Sequence, residues 1–207
     1  MRAEILLYEG FEELDAFGPF EVLAVAAFEP SLVTLAPAER VTGAHNVTVV
    51  PHAGLGERPE LLVVPGGGWA ARHDRGAWGE AQRDTLPRAI AARHAAGTTL
   101  AGVCTGTMLI ASAGLLVGRP AVTHRSALDD LAAAGAEVIA GARVVDDGEI
   151  LTAGGVTAGI DLALRLVERR DGVGAAERAA EAIEYRRDER VHVGPRAEGC
   201  RRPTRVL

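Results

Sequence analysis

Apolar positions along this chain fall into two alternating patterns. Mostly apolar segments at residues 1–8, 61–64 and 98–103 read as buried strands, as in parallel sheets covered on both faces. Leu61-Leu62-Val63-Val64 is the clearest of them, and it stops at Pro65-Gly66-Gly67-Gly68. Helical spacing separates these runs. Leu14, Phe17, Val22, Leu23 and Val25 mark a helix over 12–28, with Gly18-Pro19 near its start, where proline is tolerated in a first turn. Leu86, Ile90 and Ala91 share one face of a helix over 77–96. Further helices are predicted over 105–116, 127–134, 156–170 and 175–185. Short β-branched runs at 31–35 and 47–50 read as strands. Smaller strands at 138–139, 144–145 and 150–151 flank a hairpin turn at Asp146-Asp147-Gly148. This alternation predicts an α/β three-layer sandwich, a mostly parallel central sheet with helices on both faces. From 186 to 207 the chain has seven Arg and few apolar residues. That composition predicts one globular unit over 1–185 and a mobile Arg-rich tail over 186–207.

Composition narrows the class. With 207 residues, 48% apolar and 24% charged, the chain can bury roughly 70% of its unfolded surface without a disulfide or metal staple. Its two cysteines, Cys104 and Cys200, make no disulfide framework, which points to a reduced, cytoplasmic setting. All 22 basic residues are Arg, yet the net charge is −6, against nucleic acid as a partner. No apolar run approaches the roughly 18 residues of a membrane span, and the first residues do not read as a signal peptide.

Chemistry concentrates at Gly102-Val103-Cys104-Thr105-Gly106, between a buried strand and a helix. A nucleophile flanked at that spacing by glycines fits a sharp strand-to-helix elbow. The elbow lifts the thiol to a helix N-terminus, where unpaired amides favour thiolate and lower its pKa. A small buried core cysteine is the alternative. Attack on a substrate needs donors for the developing charge. Gly67 and Gly68, after the other central strand, and the amide of Thr105 are candidates. Glu12, Glu13 and Asp15 are candidate acids, although each also reads as favourable charge at a helix start. His124 is placed to support the thiol or to be a buried structural histidine. No HExxH, CxxC, GxGxxG or P-loop pattern occurs, so neither metal nor nucleotide cofactor is expected.

Five segments, in order, resemble the ThiJ/PfpI superfamily of class I glutamine amidotransferase-like folds. They are Glu13-Leu14-Asp15-Ala16-Phe17-Gly18-Pro19, Val64-Pro65-Gly66-Gly67, Val103-Cys104-Thr105-Gly106, Thr123-His124 and the run from Leu151 to Asp161. The resemblance spans roughly 3–185 and implies a flavodoxin-like sandwich. It is strongest to the isonitrile hydratase branch, which also ends in a pair like Glu184-Tyr185. It implies that Asp15, ahead of Glu12 and Glu13, faces the nucleophile. Thr105 stands where the protease-like branch has histidine, against a peptidase dyad. Arg125 stands where the hydratase branch commonly has tryptophan. The family also implies a homodimer.

The function so implied is a cysteine-dependent hydratase that converts an isonitrile to an N-substituted formamide. Cys104 attacks the isonitrile carbon, Asp15 supplies the proton to give a thioimidate, and water releases the product. Glyoxalase or deglycase chemistry on a 2-oxoaldehyde uses the same thiol and acid. A cysteine redox sensor or ligand-binding protein without turnover is the reading from another class.

Overall fold

The computed structural model describes residues 1–188 and 190–199. Eight strands form the main sheet: β1 (Arg2–Leu7), β2 (Glu29–Thr34), β3 (Ala53–Gly54), β4 (Leu61–Val64), β5 (Thr99–Val103), β6 (Val144–Asp147), β7 (Ile150–Ala153) and β8 (Val191–Val193). Their spatial order is β8-β6-β7-β5-β4-β1-β2-β3. Every neighbouring pair is parallel except β6 with β7. The protein is thus the flavodoxin-like three-layer sandwich that the alternating pattern and the family resemblance imply.

Among the described residues eight helices cover the sheet: α1 (Glu13–Val25), α2 (Ala77–Arg83), α3 (Thr85–Ala95), α4 (Gly106–Ser112), α5 (Leu128–Ala133), α6 (Ala158–Asp171), α7 (Val173–Ala182) and α8 (Pro195–Gly199). Helices α1, α6 and α7 pack together as one layer, and α2, α3, α4 and α5 as the other, apart from α8 beside β6. All four residues of β4 are fully buried, which is why that strand carries no polar position. Register pairs Ile5 with Val63, Val64 with Gly102 and Val103 with Ala153. The C-terminal ends of β1, β4, β5 and β7 therefore reach one edge together, where open α/β sheets bind their ligands.

Four details depart from the sequence reading. The helix expected over 77–96 is two helices, broken at Asp84, whose φ is +60°. Pro87 then falls in the first turn of α3, where its missing N–H leaves no gap. Pro19 lies in the interior of α1 instead of its first turn. There it packs on α6: a Cβ built on Gly159 would stand 3.2 Å from Pro19 Cγ. The run at 47–50 contributes Thr48–Val49 to a two-residue ladder with Val41–Thr42, outside the main sheet. Finally, the Arg-rich segment is not a tail from 186 onward. Val191–Val193 pairs with β6, Gly194 N–H donates to the Asp146 carbonyl at 2.8 Å, and Arg196 reaches Asp147 Oδ2 at 3.1 Å. Three apolar-polar-apolar residues were enough to add a strand once buried Asp147 was there to receive arginine. Residues 200–207, Cys200 included, lie outside the described residues.

Candidate active site

Cys104 follows β5 directly and has φ +54°. A non-glycine residue there carries backbone strain that its surroundings must hold. Its N–H donates to the carbonyls of Ala153 (3.1 Å) and Gly154 (3.0 Å), and its carbonyl accepts from Thr123 Oγ1 at 2.8 Å. These bonds fix the elbow, and α4 begins two residues on. The flanking glycines are required by neighbouring elements as much as by the turn. A Cβ on Gly106 would lie 1.9 Å from the Val64 carbonyl oxygen, and one on Gly102 would lie 2.9 Å from Thr107 Oγ1. Helix α4 can start this close to β4 only because Gly106 has no side chain.

Asp15, on the first turn of α1, is fully buried against the elbow. Its Oδ2 accepts the Gly66 N–H at 2.9 Å, and its Oδ1 has no hydrogen-bond partner among the described residues. Burial pushes the carboxyl up to about 8. The Gly66 N–H opposes that shift, Glu12 adds to it, and the adjacent Cys104 thiol opposes it slightly. The thiol itself is pushed up to about 12, chiefly by burial and then by the charge of Asp15; the Val156 and Thr105 amides pull the other way. The expected lowering of the thiol by a helix N-terminus is therefore overturned. Helix α4 has only seven residues, and Cys104 is only 6% exposed, facing a carboxyl.

The expected donors divide. Gly67 N–H is already committed: it donates to Thr105 Oγ1 at 2.9 Å. Gly67 is thus not a free oxyanion donor, and the Thr105 hydroxyl is a brace for the glycine loop. Thr105 contributes to the site through its amide, which faces the thiol. Gly68 N–H has no partner among the described residues and Gly68 is partly exposed. No hydrogen bond joins His124 to the thiol among the described residues. Its Nδ1 accepts from Ser126 N–H (3.2 Å) and meets Ser126 Oγ (2.8 Å), capping a short 3₁₀ turn. Burial, then Arg125, lowers its pKa. The opposite edge of the ring covers Gly155, where a Cβ would meet His124 Cδ2 at 2.6 Å. Arg125 is exposed beside it.

Two contributors, Tyr8 and Val156, were not singled out in the sequence. Tyr8 Oη donates to the Pro65 carbonyl at 2.6 Å, with the Gly66 carbonyl at 3.0 Å, and so fixes the turn that presents Gly66 N–H to Asp15. Glu12 adds negative charge toward both Asp15 and Cys104. The Val156 N–H pulls the thiol's pKa downward. A usable signal existed for Tyr8, which ends the first apolar run at the same sheet edge as Pro65. Glu12 and Glu13 also gather with His45, their ligand atoms lying within 4.8 Å of one another. Both Glu13 oxygens there already serve loop 43–47: Oε1 accepts His45 N–H at 2.7 Å, and Oε2 meets His45 Nδ1 at 2.8 Å. The composition could suit a cation, but Glu13 is occupied as a loop anchor.

A flavodoxin-like sandwich with a cysteine on a strained elbow, facing a buried acid, defines the class. The model of the DJ-1/PfpI family matches residues 1–169, and the chain belongs to that family. It is 31% identical over 187 residues to an isonitrile hydratase of Pseudomonas putida, covering 89% of this chain and 78% of that one. A ThiJ/PfpI family protein from Pseudomonas syringae superposes with a TM-score of 0.79 at 30% identity, over 90% of this chain and 76% of the other. Drosophila melanogaster DJ-1beta superposes at 0.78 with 19% identity, over 89% and 98%. Among the described residues no helix is long and apolar enough to cross a membrane.

Proposed function

We propose that this protein hydrates isonitriles to N-substituted formamides, with Cys104 as nucleophile and Asp15 as the group that moves the proton. The observation that carries the reading is the pair itself: a buried carboxyl held near 8 beside a thiol on an elbow. Similarity to an isonitrile hydratase over most of both chains supports it. A carboxyl with pKa near the working pH exchanges a proton readily in both directions. A thiol near 12 is a poor resting thiolate, so its proton leaves as sulfur attacks.

In the first step sulfur bonds to the terminal isonitrile carbon. Asp15, as carboxylate, takes the thiol proton and delivers it to that carbon, giving a thioformimidate. Water then adds to the same carbon, with Asp15 taking one proton and the nitrogen gaining one. The carbon–sulfur bond breaks, the formamide leaves, and sulfur recovers its proton. The sum is one water added to one isonitrile. The Thr105 and Val156 amides stabilise sulfur when it carries charge.

One observation favours a second reading, an enzyme acting on 2-oxoaldehydes. Arg125 leaves a cation beside His124 at the Gly155 edge, which suits an oxygenated substrate better than an apolar isonitrile. Purified protein assayed in parallel on cyclohexyl isonitrile and methylglyoxal decides between them. Formamide formation that Cys104→Ala abolishes is expected; loss of methylglyoxal without formamide formation would replace the first reading by the second. A reversible response to Cys104 oxidation with neither activity would favour a sensor. The proposal includes a homodimer, carried from the family resemblance, and a cytoplasmic setting, carried from the cysteine usage. Sedimentation at two concentrations tests the dimer.

A further inference from the structure

The elbow is held from behind by a segment that is itself gripped at both ends. Ala153 and Gly154 supply the carbonyls that hold Cys104 N–H. Two residues on, Val156 has φ +36°, a left-handed value that a β-branched residue adopts only where its surroundings impose it. Arg143, just before β6, bonds the chain on either side of it. The Arg143 carbonyl accepts Gly154 N–H at 3.0 Å, fixing the start of the segment. Its Nη2 donates to Thr157 Oγ1 at 2.9 Å, fixing the end. Its Nε donates to Asp161 Oδ2 in the first turn of α6. Asp161, only 1% exposed, also accepts Tyr185 Oη–H at 2.8 Å and Asp188 N–H at 2.9 Å.

We propose that Arg143, seated by Asp161 and Tyr185, is a positioning residue that grips residues 154–157 at both ends and so fixes the segment whose Gly154 carbonyl holds the Cys104 N–H, and with it the Val156 amide on the thiol side. It touches no reacting atom and acts through Val156. The groups that face the sulfur set its stake: Asp15 and Glu12 oppose negative charge there, buried Tyr8 lies nearby, and the Val156 and Thr105 amides are the counterweight. Loss of one of two donors in a buried site is felt directly in the thiolate. The inference rests on the hydratase reading only in taking Cys104 as the nucleophile.

The test uses the full chain carrying Cys200→Ser, so that Cys104 is the remaining thiol. Iodoacetamide labelling is timed at a fixed pH of about 9, where the rate follows the thiolate fraction. Thr157→Val removes one exposed hydroxyl and should slow labelling about threefold. Arg143→Met should slow it about tenfold or more, with kcat on an isonitrile falling in parallel and KM within about twofold. Arg165→Met is the control: it breaks a pair with the equally buried Asp146 on the same sheet. It should lower Tm and leave labelling within about twofold of the parent. Unchanged or faster labelling in Arg143→Met, or equal slowing in Arg165→Met, overturns the inference. Should Arg143→Met fail to fold, Thr157→Val decides, and unchanged labelling there overturns it. A parent that labels in this order but hydrates no isonitrile removes the hydratase reading and leaves this inference standing.

Discussion

Asp15→Asn keeps the outline of the side chain and removes its titration. In the folded protein burial carries this carboxyl from its ordinary 3.8 to about 8, against the pull of the Gly66 N–H. The folded state therefore retains a proton that the unfolded chain releases from about pH 4 upward. The stability linked to that proton is complete below about pH 4, declines as pH rises, and is gone above about pH 8. At about 1.4 kcal/mol per pH unit, the decline between pH 4 and pH 7 is on the order of 4 kcal/mol. Relaxation and water penetration around the ionised carboxylate return part of it, so Asp15→Asn should gain about 2 kcal/mol at pH 8. For a chain of this length that is roughly 4–8 °C in Tm. Calorimetry from pH 5 to pH 9 should show a parent that loses Tm with rising pH and a variant that loses much less. Isonitrile turnover should fall on the order of 10²-fold in the same variant. A variant less stable than the parent at pH 8, by an amount independent of pH, would refute the reasoning: ionisation of Asp15 would then carry no cost.

Cys104→Ala should abolish turnover, and adding Asp15→Asn should change the residual rate little, because both serve one step; formamide measured for the four proteins checks this. Gly106→Ala places a Cβ 1.9 Å from the Val64 carbonyl and should cost about 3 kcal/mol in urea unfolding. Gly174→Ala, in the first turn of α7 and 3.5 Å from Arg178 Nη1, should be neutral or stabilising by up to about 1 kcal/mol. Tyr8→Phe leaves the buried Pro65 carbonyl without its 2.6 Å donor; a loss of about 1–2 kcal/mol is expected by the same unfolding assay, with kcat reduced severalfold as Gly66 loosens from Asp15.

The sandwich and its elbow were legible because they rest on local patterns. The unbroken apolar β4 run, the glycines around Cys104 and the acid after β1 each report their environment within a few residues. What escaped depends on contacts between distant segments. Tyr8 meets Pro65 across 57 residues, and Gly67 N–H finds Thr105 Oγ1 across 38. Nothing in a glycine triplet says which amide is already taken. The direction of the thiol shift was misread for a related reason: the helix start is visible in the sequence, whereas the depth of burial and the facing carboxyl are properties of the assembled sheet. The break at Asp84 was hidden because alanine and arginine on both sides favour helix equally. The C-terminal strand was hidden by the arginines around it; Asp147, the buried partner of Arg196, stands 49 residues earlier.

That last strand sets an order of assembly. The three strands that frame the acid and the thiol, β1, β4 and β5, are complete by residue 103, and β7 closes the elbow by residue 153. Strand β6 must then leave one hydrogen-bonding edge bare until residues 191–193 arrive. During synthesis the nucleophile can be in place while the sheet still offers an unpaired edge, the kind of surface on which chains join one another. Premature termination before residue 191 would thus yield a chain with its chemistry assembled and its edge uncovered: active in principle, and prone to aggregate.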